Sequence, residues 1–209
     1  TAASVMVVTE QNYKELLQST LDDAECINAY CAGVDFQEKH KIVYMLVREL
    51  CIHSHKEALI LYPVVKSMLE NGAELIKDAI KEHREIERLL SKLDSLHTVE
   101  QFTHKMDELV HETLANVFIH IREEEAELIP SLRKVIEDEL AVKLGRQFEA
   151  ATKQVSSRPH PDAPMEGEAA LLADRFEAPM DKLADEARFG FVDPASHLNA
   201  ITDAYHTKH

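Results

Sequence analysis

His53-Ser54-His55-Lys56-Glu57, followed by Tyr62-Pro63, is matched later in the chain by His120-Ile121-Arg122-Glu123-Glu124, followed by Ile129-Pro130. Both stretches read H-x3-E-x5-P. A His and a Glu four residues apart share one face of a helix. A neutral imidazole and a carboxylate on one face can hold a transition metal. A pair that occurs twice points to two ions, or to one centre built by two halves of a bundle.

Outward from these pairs, helical periodicity runs through most of the first ~155 residues. Helices are expected over 9–31, 37–69, 73–96, 99–135 and 137–155. Thr9 is a plausible N-cap, and Asn71-Gly72 is a stop signal. Four long antiparallel helices with short connections make an up-down bundle, with metal sites in its core. The chain also aligns with itself. Glu82-His83-Arg84-Glu85-Ile86 and Thr9-Glu10-Gln11-Asn12-Tyr13 carry matching apolar spacing, and each precedes a helix bearing H-x3-E-x5-P. Two helix pairs related by a pseudo-twofold axis would bring one inward set to one level: Glu10, His53, Glu57, His83, His120 and Glu124. Glu87, one turn after His83, is a seventh candidate. So many buried carboxylates require cations. A dinuclear centre supplies them, with Glu57 and Glu124 as bridges. Mixed nitrogen and oxygen donors suit iron or manganese and admit zinc.

The motifs Glu82-His83-Arg84-Glu85, His53-x3-Glu57 through Leu61-Tyr62-Pro63, and His120-Ile121-Arg122-Glu123-Glu124-Glu125 resemble the hemerythrin-like (HHE cation-binding) family. The fungal-type members with a C-terminal extension are the nearest match. The likeness covers about residues 5–155 and extends loosely into Arg158-Pro159-His160-Pro161 and Ala178-Pro179-Met180-Asp181. It implies a four-helix bundle with two non-haem irons, oxo- or hydroxo-bridged. It also implies dioxygen, peroxide or nitric oxide as small ligands. By position, His53, Glu57, His83, His120 and Glu124 match family ligands. The family also places a His on the first helix, whereas the first His here is His40. Glu10 takes that seat by register, with Gln11 or Tyr13 as alternatives. Oxygen carriers use a second His one turn along the third helix, where this chain has Glu87. Carboxylates in place of imidazoles favour ferric iron and oxygen activation over reversible carriage. An oxidase, an oxygenase, a peroxide-consuming enzyme, a sensing module and a metal-free scaffold all remain open.

Other residues are expected to be ordinary. His55 should point away from His53 and be exposed. His97, His104, His111, His197, His206 and His209 read as surface, and Tyr62 as core packing. Ser156-Ser157-Arg158-Pro159-His160-Pro161-Asp162-Ala163-Pro164 reads as a linker without core residues. It would divide a bundle over 1–155 from an extension over 156–209, whose short helices at 167–187 and 194–206 should pack on the bundle. The net charge of -15 argues against nucleic acid. No apolar run approaches the ~18 residues of a membrane span. Three cysteines without C-x-x-C suit a reducing compartment, so cytoplasmic residence is expected.

Overall fold

The computed structural model describes residues 36–96 and 104–189. The expected helices over 9–31 and 194–206 lie outside these residues, as do Glu10, Gln11 and Tyr13. What is described is all-α, a helical bundle with no strand among the described residues. One rod comprises α1 (Phe36–Lys56), a π-helical turn (Glu57–Leu61) and α2 (Tyr62–Met68). It turns back into α3 (Gly72–Asp94). A second rod repeats the pattern: α4 (His104–Glu123), a π-helical turn (Glu124–Leu128) and α5 (Ile129–Val135). Then come α6 (Asp138–Ala151) and α7 (Gly167–Phe189).

The core has three levels. One apolar cluster joins Val43, Leu46, Val47 and Leu50 of α1 to Leu90 and Leu93 of α3 and to Met106, Val110 and Leu114 of α4. A second joins Leu61, Tyr62 and Val65 to Ile76, Ile80, Leu128 and Leu132. On both rods and on α3 the candidate ligands fall between these clusters. Two dry layers therefore enclose one polar layer, where any charge must find a protein partner or a cation.

The turn between α2 and α3 is closer than a stop signal requires. Gly72 opens α3, and a Cβ there would lie 2.3 Å from the Val65 carbonyl oxygen. The backbones touch because nothing stands between them. Gly72→Ala should cost about 1–3 kcal/mol through forced separation of α2 and α3. Urea denaturation would show it, and an unchanged midpoint would refute it.

The start of the 156–164 segment departs from the expectation that it holds no core residues. Val155, Ser156 and Ser157 are fully buried, and Arg158 nearly so. Asp181 of α7 explains this. Its Oδ2 accepts the Ser157 and Arg158 backbone N–H groups, each at 3.1 Å, and the Ser156 hydroxyl. Arg158 in turn pairs with Asp94 at 2.9 Å and with Asp185. Polar residues are buried here because a helix bearing Asp174, Asp181 and Asp185 on one face satisfies them. The opposite face of α7 leaves Leu172, Phe176, Met180 and Leu183 exposed. No helix among the described residues is long and apolar enough to cross a membrane.

Candidate metal centre

Both motif glutamates open a π-helical turn, and the motif proline accounts for it. Proline has no N–H, and in an α-helical ladder its ring meets the carbonyl four residues back. One residue before each proline the backbone N–H reaches five residues back instead: Tyr62 to the Glu57 carbonyl, and Ile129 to that of Glu124. The x5-P spacing thus places a widened turn at each glutamate. Such turns cluster at functional sites.

Side chains of the two motifs and of α3 converge in the polar layer. Glu57, His83 and His120 form one buried triad whose ligand atoms lie within 4.8 Å of one another, and His53, Glu57 and Glu124 form another. Glu57 belongs to both. His53 Nε2 lies 3.1 Å from Glu57 Oε1, and His83 Nε2 lies 3.3 Å from Glu57 Oε2. His53 Nε2, Glu57 Oε2 and both Glu124 oxygens are nonetheless buried without a hydrogen bond. Native structures leave few such atoms. Four that converge in one layer, all imidazole nitrogen or carboxylate oxygen, fit a bound transition metal.

Electrostatics point the same way. Burial, and then the charge of Glu57, push Glu124 well above the usual carboxylate range. Burial also favours neutral Glu57, but the facing imidazoles of His53 and His120 hold it well below that range. Burial and His120 push His83 down to about 4. For His120 burial acts downward, yet the Glu57 carboxylate 4.0 Å away and the hydrogen bond to Glu82 raise it to about 10. Without a metal, both shifts favour a proton on Glu124 and on His120. A cation would displace them, so metal binding should release protons.

The outer edges of the two central imidazoles are also held. Tyr62 Oη sits 2.9 Å from His83 Nδ1 and 3.3 Å from its Nε2, and Glu82 Oε2 sits 2.7 Å from His120 Nδ1. The two Nε2 atoms face each other at 2.7 Å. Protonated His120 can donate from Nδ1 to Glu82 and from Nε2 toward the His83 Nε2 lone pair. That pattern leaves His83 Nε2 and Glu57 Oε2, 3.3 Å apart, as two facing acceptors, a pair that a cation would satisfy.

Glu87 stands apart from both triads. Its Oε1 meets His55 Nε2 at 3.2 Å, and its Oε2 accepts the His160 backbone N–H at 2.8 Å. His55 is buried, which corrects the expectation of exposure. Its other nitrogen, Nδ1, lies 2.7 Å from Asp174 of α7. Burial opposes charge on His55, but the hydrogen bonds to Asp174 and Glu87 raise it to about 10. A histidine raised above its ordinary value of about 6.5 stabilises the fold fully below that pH and loses its contribution as pH rises through 10. His55 and His120 act in the same direction. The metal-free protein should therefore lose on the order of a few kcal/mol between pH 6.5 and 10. Thermal melts across that window would test it, and rising stability would contradict it.

His111 is exposed, as expected. His97 lies outside the described residues. Cys51 is buried and its thiol is pushed up by burial, consistent with a core role. Glu82 and Asp181 lie inside quoted stretches of the family likeness but are not read there as functional, and Asp174 lies in none. Helical phase is the signal that bears on their placement: Glu82 precedes an inward His, and the two aspartates share one face of α7.

A family model, the hemerythrin HHE cation-binding domain, matches residues 11–132. That is more than half of the chain. The chain belongs to the hemerythrin-like HHE cation-binding family. It is also similar to an uncharacterised hemerythrin-like protein of Schizosaccharomyces pombe, 32% identical over 171 residues, 81% of this chain and 79% of the relative. Those 171 aligned residues exceed the span of the family match, so the likeness reaches beyond the hemerythrin-like domain. No solved structure matches significantly.

Proposed function

We propose that this hemerythrin-like chain holds two non-haem irons at the paired triads, and that the reduced centre reacts with dioxygen or peroxide rather than carrying oxygen reversibly. The observation that carries this reading is the sharing of Glu57 by both triads amid four unpartnered buried donor atoms. Proposed roles are terminal nitrogen donation by His53, His83 and His120, bridging by Glu57, and bridging or terminal oxygen donation by Glu124. Glu10 remains a proposed carboxylate from the first helix. Glu87 is a ligand only if it leaves His55 and the His160 N–H.

Bound iron would supply one-electron redox steps and an electrophilic position for a small ligand. The side chains do the rest. The apolar layers above and below exclude water. Glu124 and His120 give up protons as the cation is taken up. The α3 seat that carriers fill with a second His holds Glu87, which is turned to other partners. This leaves α3 with one nitrogen donor, His83, among the two triads. Fewer imidazoles and open positions favour reaction over reversible carriage.

A second reading, sensing of iron, oxygen or nitric oxide without turnover, is favoured by one contact. His55, midway between His53 and Glu57, is bound to Asp174 of α7. A change at the centre is thereby connected to the C-terminal extension.

The test is anaerobic ferrous loading, metal analysis, and then optical spectra under dioxygen, peroxide and nitric oxide. The reading expects two irons per chain and an oxidised product that removal of oxygen does not reverse. Many reversible oxygen cycles without ferric accumulation would overturn the reactivity. No metal uptake, with folding unchanged by chelator, would overturn the centre.

A further inference from the structure

We infer that Glu82 is a positioning residue that makes the two central imidazoles unequal donors, His120 the stronger and His83, beside the neutral Tyr62 phenol, the weaker. This rests on the metal reading above.

The geometry is direct. His120 turns Nε2 into the polar layer and Nδ1 onto Glu82 at 2.7 Å, whereas the Tyr62 hydroxyl lies 2.9 Å from Nδ1 and 3.3 Å from Nε2 of His83, over the ring rather than in line with one nitrogen. Fixing Nδ1 of His120 as the N–H leaves its Nε2 as the lone pair once the Nε2 proton is lost, which is the form a metal requires. The two oxygens differ in kind. Tyr62 offers a neutral phenol, enclosed in the second apolar cluster and only 2% exposed. Glu82 offers a carboxylate, its Oε2 2.7 Å from His120 Nδ1. A charged acceptor bonds roughly twice as strongly as a neutral one. It draws the Nδ1 proton outward and raises the donor strength of Nε2.

The internal repeat shows that this inequality is not a duplicated feature. Thr9 holds the place of Glu82 in the first copy, and Ile129 holds the place of Tyr62 in the second. Neither partner has a chemical equivalent in the other half. Glu82 also lies where it can be reached. It lines a surface cleft of about 270 Å³ with Asp78, Glu85, Asn116 and Glu123, while His120 behind it is buried. Glu82 thus connects the solvent-facing side of the α3–α4 pair to a ligand candidate in the dry interior.

Three variants test this: Glu82→Ala, Glu82→Gln and Tyr62→Phe. In the metal-free protein, proton NMR should show a strongly downfield imidazole N–H that is lost in Glu82→Ala and retained in Tyr62→Phe. Cobalt(II) is the metal probe, with affinity measured by chelator competition and the ligand field by visible spectrum. Glu82→Ala should lose about 10–100-fold in affinity, Glu82→Gln less, and Tyr62→Phe least. The cobalt bands should shift more in Glu82→Ala than in Tyr62→Phe. A merely structural Glu82 would lower the melting temperature of the metal-free protein and leave affinity unchanged, which overturns the inference. Equal losses in Glu82→Ala and Tyr62→Phe overturn the ranking. If the unsubstituted protein takes up no cobalt, the metal reading itself falls. Normal uptake with an unaffected Glu82→Ala variant defeats this inference alone.

Discussion

A Glu57→Gln protein should fail to retain either metal. Glu57 is the one residue common to both triads, one carboxylate oxygen lying near His53 and the other near His83. Glutamine keeps the volume and removes the charge, and a neutral amide is a poor bridge between cations. The expected loss is at least about 100-fold in iron affinity, at the upper end of what outer-partner substitutions cause. His53→Ala should behave differently, because it touches only the second triad and leaves Glu57, His83 and His120 intact. Metal analysis after dialysis against a weak chelator, with circular dichroism to monitor folding, separates the two variants. A folded Glu57→Gln protein with full iron content would refute the shared-carboxylate arrangement.

The second large effect is expected far from any metal. Asp181→Ala removes an acceptor from the Ser157 and Arg158 N–H groups, the Ser156 hydroxyl and His160 Nε2. All but His160 are buried. Unsatisfied buried donors each cost about 1–3 kcal/mol, so a loss of about 3–5 kcal/mol is expected after partial relaxation. Asp181→Asn keeps one carbonyl oxygen and should cost less. α6 and α7 pack on the π-helical turn that begins at Glu57. Loosening α7 should therefore weaken metal binding as well. Denaturant titration of the metal-free protein measures the first effect, and a change below about 1 kcal/mol would disprove it.

The contrast between His53 and His55 shows how much was legible. Both lie on α1 two residues apart, so they cannot share a face. Periodicity correctly separated them, and His53 falls beside Glu57 in the polar layer. It also suggested that His55 meets water, because the far side of a bundle helix normally does. Here α7 covers that side and presents Asp174. Glu87 is the same case on α3. One turn from His83 it reads as a second inward donor, yet the level it occupies is shared with His55 and the His160 backbone. In α7 the usual reading inverts. The stripe Leu172, Phe176, Met180, Leu183 has the spacing of a buried face, but the aspartates are buried because Ser156, Ser157 and Arg158 need acceptors.

The sequence by itself determined the helical class, the family, and the two His–Glu pairs whose spacing each helix converts into a shared face. Those are local properties, set within a few turns of one helix. Only the tertiary structure decided which donors converge, which oxygens lie beside each imidazole, and that Ser156, Ser157 and Arg158 ahead of the prolines are buried. Helical phase states which residues face the same way. What stands opposite them depends on packing between segments far apart in the chain, and in a polar layer that opposing group decides whether a side chain meets a metal, a proton donor or another helix.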